Sequence, residues 1–323
     1  MRSENVIAAI GMALCAAMPS THAAQQAYPE KPVRLVLGSA AGSGPDIISR
    51  VLAERLYGAW GQRVVVDARP GVAGILSADL VLRATPDGYT WMILTSQLMV
   101  ATAVYPNVKF DLDKDFVSIS LIGTVPFVLV VNPEMPAKSL RELIELAKKT
   151  PGALRYGSAG TGASEHLSGV LFTRLTGTEM LHVPYKGVAE AIAATMGKEV
   201  NLTYGVVPAV VGAIQAGRVR ALGVTGLKRN ALLPDVPSIS EAVPGYQTLG
   251  WYSVVAPKGT PDAVLAKVSA EVMKAIKEPQ FGEQLKGLGI EIVGSSRAEL
   301  DSFRREQRKQ INEIVKASGV DVK

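Results

Sequence analysis

Cysteine is almost absent from this chain of 323 residues: Cys15 is the only one. It lies in an apolar stretch, Val6–Met18, that follows Arg2 and precedes Thr21-His22-Ala23. A weakly basic start, a short apolar run and a small residue after it read as a secretory signal over residues 1–23, removed near Ala23. A lipid attachment site wants a small residue just before the cysteine, and Leu14 stands there instead. The mature chain then has no thiol. That excludes disulfides, thiolate metal sites and a cysteine nucleophile. An exported chain without disulfides must be held by its core, and 48% hydrophobic residues allow that.

Other scarcities exclude further classes. Of three histidines, His22 leaves with the signal, and His166 and His182 have no acidic cluster near them in sequence. A dedicated metal site is therefore not expected, and no cofactor is implied. Aromatic residues make up 6%, and no Lys/Arg run exceeds two residues apart from the interrupted Arg304–Lys309. Nucleic-acid binding would need a basic stripe or a stacking platform. After Met18 no stretch approaches the ~20 apolar residues of a membrane span. The net charge of +5 is a mild attraction for anionic ligands.

What the chain does have is one motif twice. Strand Val33–Leu37 runs into Gly38-Ser39-Ala40-Ala41-Gly42-Ser43-Gly44-Pro45-Asp46, and an amphipathic helix follows (Ile47, Val51, Leu52, Leu56). About 120 residues later, Leu154-Arg155-Tyr156 leads into Gly157-Ser158-Ala159-Gly160-Thr161-Gly162-Ala163-Ser164, and a helix opens again (Leu167, Val170, Leu171, Leu175). A Gly/Ser loop at a helix N-terminus presents unpaired N–H groups in the field of the helix dipole, and so suits an anion. Two such loops, one per half, suggest a clamp on a carboxylate. Ser39, Ala41, Gly42 and Ser43 are the candidate contacts on the first loop, with Asp46 a structural residue first. Ser158, Thr161, Gly162, Ala163 and Ser164 are those on the second, and Ser96 ends the strand Thr90–Leu94 nearby. As simple helix starts, the loops would be capped by Ser43 or Gly44 and by Thr161 or Ser164.

Strand–helix alternation continues throughout and predicts parallel sheet with crossover helices. Val125–Val131 reads as a strand buried on both faces, and Ser139–Lys148 as a helix with a capping box from Ser139 to Glu142. Two α/β lobes joined by crossings near 127–132 and 250–256 would leave a cleft between them, at the carboxyl ends of strands where such folds bind ligands. Lys186 suits an anion as well as it suits a solvated turn. Trp251 and Tyr252 suit a hinge or cleft wall. No catalytic residue is assigned. A serine hydrolase using Ser164 or Ser96 with His166 is the enzymatic rival, but residues i and i+2 on a helix do not face each other, and no Gly-x-Ser-x-Gly elbow exists.

At these residues the chain resembles the substrate-binding proteins of tripartite tricarboxylate transporters, the Bug family. The likeness is carried by Tyr28-Pro29-Glu30-Lys31-Pro32-Val33-Arg34, Ala41-Gly42-Ser43-Gly44-Pro45-Asp46, Arg69-Pro70-Gly71 with Pro86-Asp87-Gly88-Tyr89-Thr90, and His182-Val183-Pro184-Tyr185-Lys186-Gly187. It spans the mature chain in order. The resemblance implies a two-lobe periplasmic binding protein of type II-like α/β fold, with residues 28–127 and 251–323 in one lobe and 128–250 in the other. It implies a monomer that captures a small organic acid and hands it to permease subunits of the transporter, or else serves a sensor kinase. Four places depart from the family pattern: Gly38-Ser39 where it has Pro and Phe, Ala73 where it has a glycine, Ile75 where it has a small polar residue, and Thr203-Tyr204-Gly205 where it has Phe-Asp-Asn. Without that aspartate an ammonium group lacks a partner, so Ile75, Tyr204 and Trp251 suggest a carboxylate with an apolar or aromatic body.

Overall fold

The computed structural model describes residues 28–105 and 107–318. The signal over residues 1–23, with Cys15, lies outside the described residues. The first half alternates β1 (Val33–Leu37), α1 (Gly44–Trp60), β2 (Val64–Ala68), α2 (Ile75–Leu82), β3 (Thr90–Thr95), α3 (Ser96–Val104) and the one-turn α4 (Leu112–Asp115). Strand β4 (Phe116–Val131) carries the chain into the second half. There follow α5 (Leu140–Lys149), β5 (Leu154–Ser158), α6 (Ser164–Thr176), β6 (Met180–Pro184), α7 (Val188–Met196), β7 (Leu202–Val206), α8 (Val207–Gln215) and β8 (Arg220–Val224). Strand β9 (Leu249–Pro257) returns, followed by α9 (Asp262–Lys277), α10 (Pro279–Lys286), β10 (Glu291–Ile292) and α11 (Arg297–Ser318).

The sheet is mixed, which corrects the all-parallel expectation. Strands β2, β1 and β3 are parallel, as are β6, β5 and β7. Between these blocks β9 and β4 run antiparallel to their neighbours. Alternation of strands and helices does not reveal them, because each is a long return through the molecule and not a step of a crossover unit.

Strand β4 is the spine. Residues Phe116–Pro126 pair with β9, and from Phe127 onward the strand pairs with β7 and, from Val128, β8. Phe127–Val131 is buried on both faces, as its unbroken apolar run predicts. Phe127, Leu129 and Val131 join a core that extends into both halves, while Val128 and Val130 point into a smaller core under α8. The first part of β4 is less legible because Ser118 and Ser120 interrupt its apolar pattern. Tertiary partners satisfy both: Ser118 Oγ accepts from Arg304 Nη1 at 2.9 Å, and Ser120 Oγ donates to the Ser295 carbonyl at 2.8 Å. Ser139 caps α5, accepting from Glu142 N–H, but the Glu142 carboxylate returns to Lys138 N–H and not to the cap residue itself.

Both crossings between halves meet at Thr225, which is fully buried. Its Oγ1 accepts from Phe127 N–H at 2.8 Å and donates to the Thr248 carbonyl at 2.6 Å. Helix α11 spans the same region, packing on α3 and on α6, and Gln310 Nε2 donates to the Gln247 carbonyl at 2.7 Å. Thr225→Val keeps the shape and strands one buried donor and one buried acceptor, each at a cost of about 1–3 kcal/mol. Urea unfolding should show a clear loss of stability for Thr225→Val and a much smaller one for Thr225→Ser; equal stability of all three proteins would contradict the role of this hydroxyl.

Candidate functional site

The two Gly/Ser loops share three backbone features. In the first, Ser43 N–H closes a turn on the Ala40 carbonyl at 3.2 Å, and in the second Ala163 N–H closes one on Gly160 at 3.1 Å. Gly42 and Gly162 take left-handed φ values of 78° and 80°, which residues with a Cβ adopt only under strain. Each glycine donates its N–H to the side chain four residues on: Gly42 to Asp46 Oδ2 at 2.9 Å, and Gly162 to His166 Nδ1 at 3.1 Å. The first intrahelical bonds then fall at matching places, Ile47 to Ser43 and Leu167 to Ala163, both 3.0 Å.

Neither helix has a side-chain cap. Ser43 occupies the N-cap of α1, but its hydroxyl turns back to the Ala40 carbonyl. The N-cap of α6 is Ala163, so neither Thr161 nor Ser164 caps it. The helix-opening amides of Gly44 and Asp46, and of Ser164 and His166, are left without a protein acceptor. Glu165 N–H meets its own carboxylate. Free amides in the positive end of a helix dipole are the elements of an anion site. Gly42 and Gly162, expected as donors to the ligand, instead spend their N–H groups shaping the loops.

The fold brings the two loops together. Tyr252, on β9, lies between them. A Cβ on Gly44 would stand 3.5 Å from its Oη, and burial together with the Glu165 charge on α6 pushes its phenol up to about 12. A Cβ on Gly162 would press on Val104 of α3 at 3.2 Å. Ser96 and Ser164 line one small cavity of about 30 Å³ with Phe127 and Thr248. A Cβ on Gly38 would collide with Gly74 Cα, so the segment holding the half-buried Ile75 leans directly on the first loop. Within that segment Val72 and Ala73 have φ of 42° and 54°, a strained backbone of the kind that concentrates at functional sites. Ser39 is half-buried there, and Ala41, Gly42 and Thr161 are exposed.

Other candidates fall elsewhere. Tyr204 and Trp251 are fully buried in the shared core, so neither offers a wall to an apolar or aromatic ligand. Ser158 is fully buried, and its Oγ is taken up by the Gly160 carbonyl at 2.9 Å and His182 Nε2 at 2.6 Å. Lys186 is exposed. Asp46 is buried, and the Arg50 guanidinium holds its carboxyl below the usual range. Among the described residues, no group of three or more His, Cys, Asp or Glu is placed to hold a metal ion. The expected hydrolase pairing is not met: His166 turns Nδ1 to Gly162, and among the described residues the serine hydrogen-bonded to a histidine is the fully buried Ser158, with His182. Sequence reasoning offered Tyr252 as a hinge or cleft wall and missed Glu165, whose charge acts on that phenol. The polar Glu165 ahead of an apolar helical stripe is the signal that pointed to it.

This is the α/β architecture of a two-lobe solute-binding protein. The chain belongs to the tripartite tricarboxylate transporter receptor family, whose model matches residues 48–320. A UPF0065 protein from a Pseudomonas species is 39% identical over 303 residues, 93% of this chain and 90% of that one. An R. palustris protein solved with adipate is 33% identical, with a TM-score of 0.78 over 90% of this chain and 98% of that one. MatC from Rhodopseudomonas palustris, solved with bound malate, is 27% identical, with a TM-score of 0.74 over 89% and 100%.

The histidine pair gives the site a pH signature. His166 and His182 stack at 3.9 Å; burial, and for His166 also its neighbour's charge, lowers both to about 4. Unfolded, they titrate near 6.5. As pH falls below that value the unfolded chain takes up protons that the native one refuses until about 4, so stability drops across this window. Melting temperatures should fall more steeply between these limits in the wild type than in His166→Asn/His182→Asn. An equal fall in both would contradict the assignment.

Proposed function

We propose that this protein is an exported receptor that captures a small carboxylate between two lobes, residues 28–127 with 251–323 and residues 128–250, and delivers it to a permease. Its place is the periplasm, and it turns nothing over. The observation that carries this reading is a pair of similarly built helix N-termini without side-chain caps, with Tyr252 beside Gly44 of one and under the charge of Glu165 of the other. A dianion with a carboxylate at each end is the solute such a pair suits best, and adipate and malate in the structural relatives are of that class. Each charge-assisted bond from an amide would contribute roughly 1.5–3 kcal/mol. A ligand bridging both loops binds the closed state better and draws the population toward it. Isothermal calorimetry with adipate, malate and related dicarboxylates should give saturable, one-to-one binding. Failure of every carboxylate, or hydrolysis of an ester panel, would overturn the reading.

Glu165 adds a second test. Burial holds its carboxyl above the usual range. Ionised, it repels a bound carboxylate; protonated, it can donate to one. Affinity for a dicarboxylate should therefore rise as pH is lowered within the range where ordinary ligand carboxylates stay ionised. In Glu165→Gln the dependence should be flat and the affinity at the alkaline end higher than in the wild type. An unchanged pH slope in the variant would place Glu165 outside the site.

A further inference from the structure

We propose that His166 is a positioning residue for the second loop: its bare Nδ1 takes the Gly162 N–H and so fixes the left-handed turn that aims the Ser164 and His166 amides into the cleft. The role rests on the carboxylate reading only for what those amides bind. The first loop supplies the internal standard. There the same bond is made by Asp46, and the charge this introduces is neutralised four residues on by Arg50, whose Nε lies 2.9 Å from the same oxygen. Four residues beyond His166 stands Val170, which offers no cation. A carboxylate at position 166 would leave an uncompensated negative charge beside an anion site. Neutral imidazole accepts the same N–H without that charge.

The surroundings keep it neutral. The titratable groups facing the ring are the His182 imidazole from β6, stacked at 3.9 Å, and the Tyr156 phenol ring from β5, parallel at 6.2 Å. Neither is a carboxylate that would favour imidazolium. Accepting at Nδ1 fixes the tautomer with its proton on Nε2. His182 in turn is tied through Ser158 Oγ to Gly160, whose carbonyl receives Ala163 N–H. The stacked histidines thus brace the loop from both ends.

The test uses the whole mature protein with two readouts. Nitrogen-15 NMR of the histidine rings and hydrogen exchange of the Gly162 amide report the bond directly, without ligand. Calorimetry with adipate and malate reports its consequence. His166→Asn places an amide oxygen close to where Nδ1 lies; His166→Gln carries it one bond too far; His166→Asp keeps the acceptor and adds the charge. The expected result is the Nε2–H tautomer in the wild type and Gly162 exchange that is unchanged in His166→Asn and His166→Asp but about tenfold or more faster in His166→Gln. Dicarboxylate affinity should survive in His166→Asn and fall about tenfold or more in the other two. A proton on Nδ1 in the wild type, or equal Gly162 exchange in all four proteins, would overturn the role even if a variant failed to fold. Intact Gly162 protection in a wild type that binds neither probe would uphold His166 and sink the carboxylate reading.

Discussion

A helix begins with backbone amides that its own carbonyls cannot reach, and at α1 and α6 no side chain caps them. Some other ends are closed by side chains, although α2, α7, α8, α9 and α10 also lack a side-chain cap. Ser139 caps α5, Thr95 caps α3, and Ser238 with Glu241 forms a full capping box at a 3-10 turn. At α1 the Ser43 hydroxyl turns back to Ala40, and at α6 the N-cap residue is Ala163, which has no polar side chain to cap with. A left-handed glycine bonded four residues ahead holds each loop open in the same shape. Unpaired amides are a cost for folding alone and an asset once an anion fills the gap between them.

Open ends are useful only if they face each other, and that is the work of the frame. Strand β4 belongs to both halves, so its single backbone sets the relative position of the two parallel blocks. Thr225 joins this crossing to the returning one before β9, and α11 lies across α3 and α6. Tyr252, at the β9 end of the same frame, reaches the opening of α1.

Local signals in the sequence carried far, and distant pairing did not. Strands β1 and β5, the glycine loops and the Ser139 cap are legible because each depends on residues within a few positions. Helix α3 is not, because Ser96–Val104 is buried on most sides and shows no polar face. The antiparallel course of β4 and β9 is set by partners over a hundred residues away. At the site, the loops and their helices could be read directly, but Tyr204 and Trp251 look like cleft residues only until the core closes over them. The tie from Gly162 to His166 needs a ring tautomer and a turn type together, which spacing alone does not display. Glycine in both loops suggested donors to a ligand; in the structure those amides go to Asp46 and His166.

A crystal structure of the mature protein with adipate or malate tests the central claim most directly. One carboxylate group of the ligand should lie within 2.7–3.2 Å of the Gly44 or Asp46 amide, and ligand oxygens at the same range should meet the Ser164 or His166 amide, with the Gly42–Asp46 and Gly162–His166 bonds unbroken. A ligand seated outside the cleft, or held by only one of the two helix ends, would contradict it.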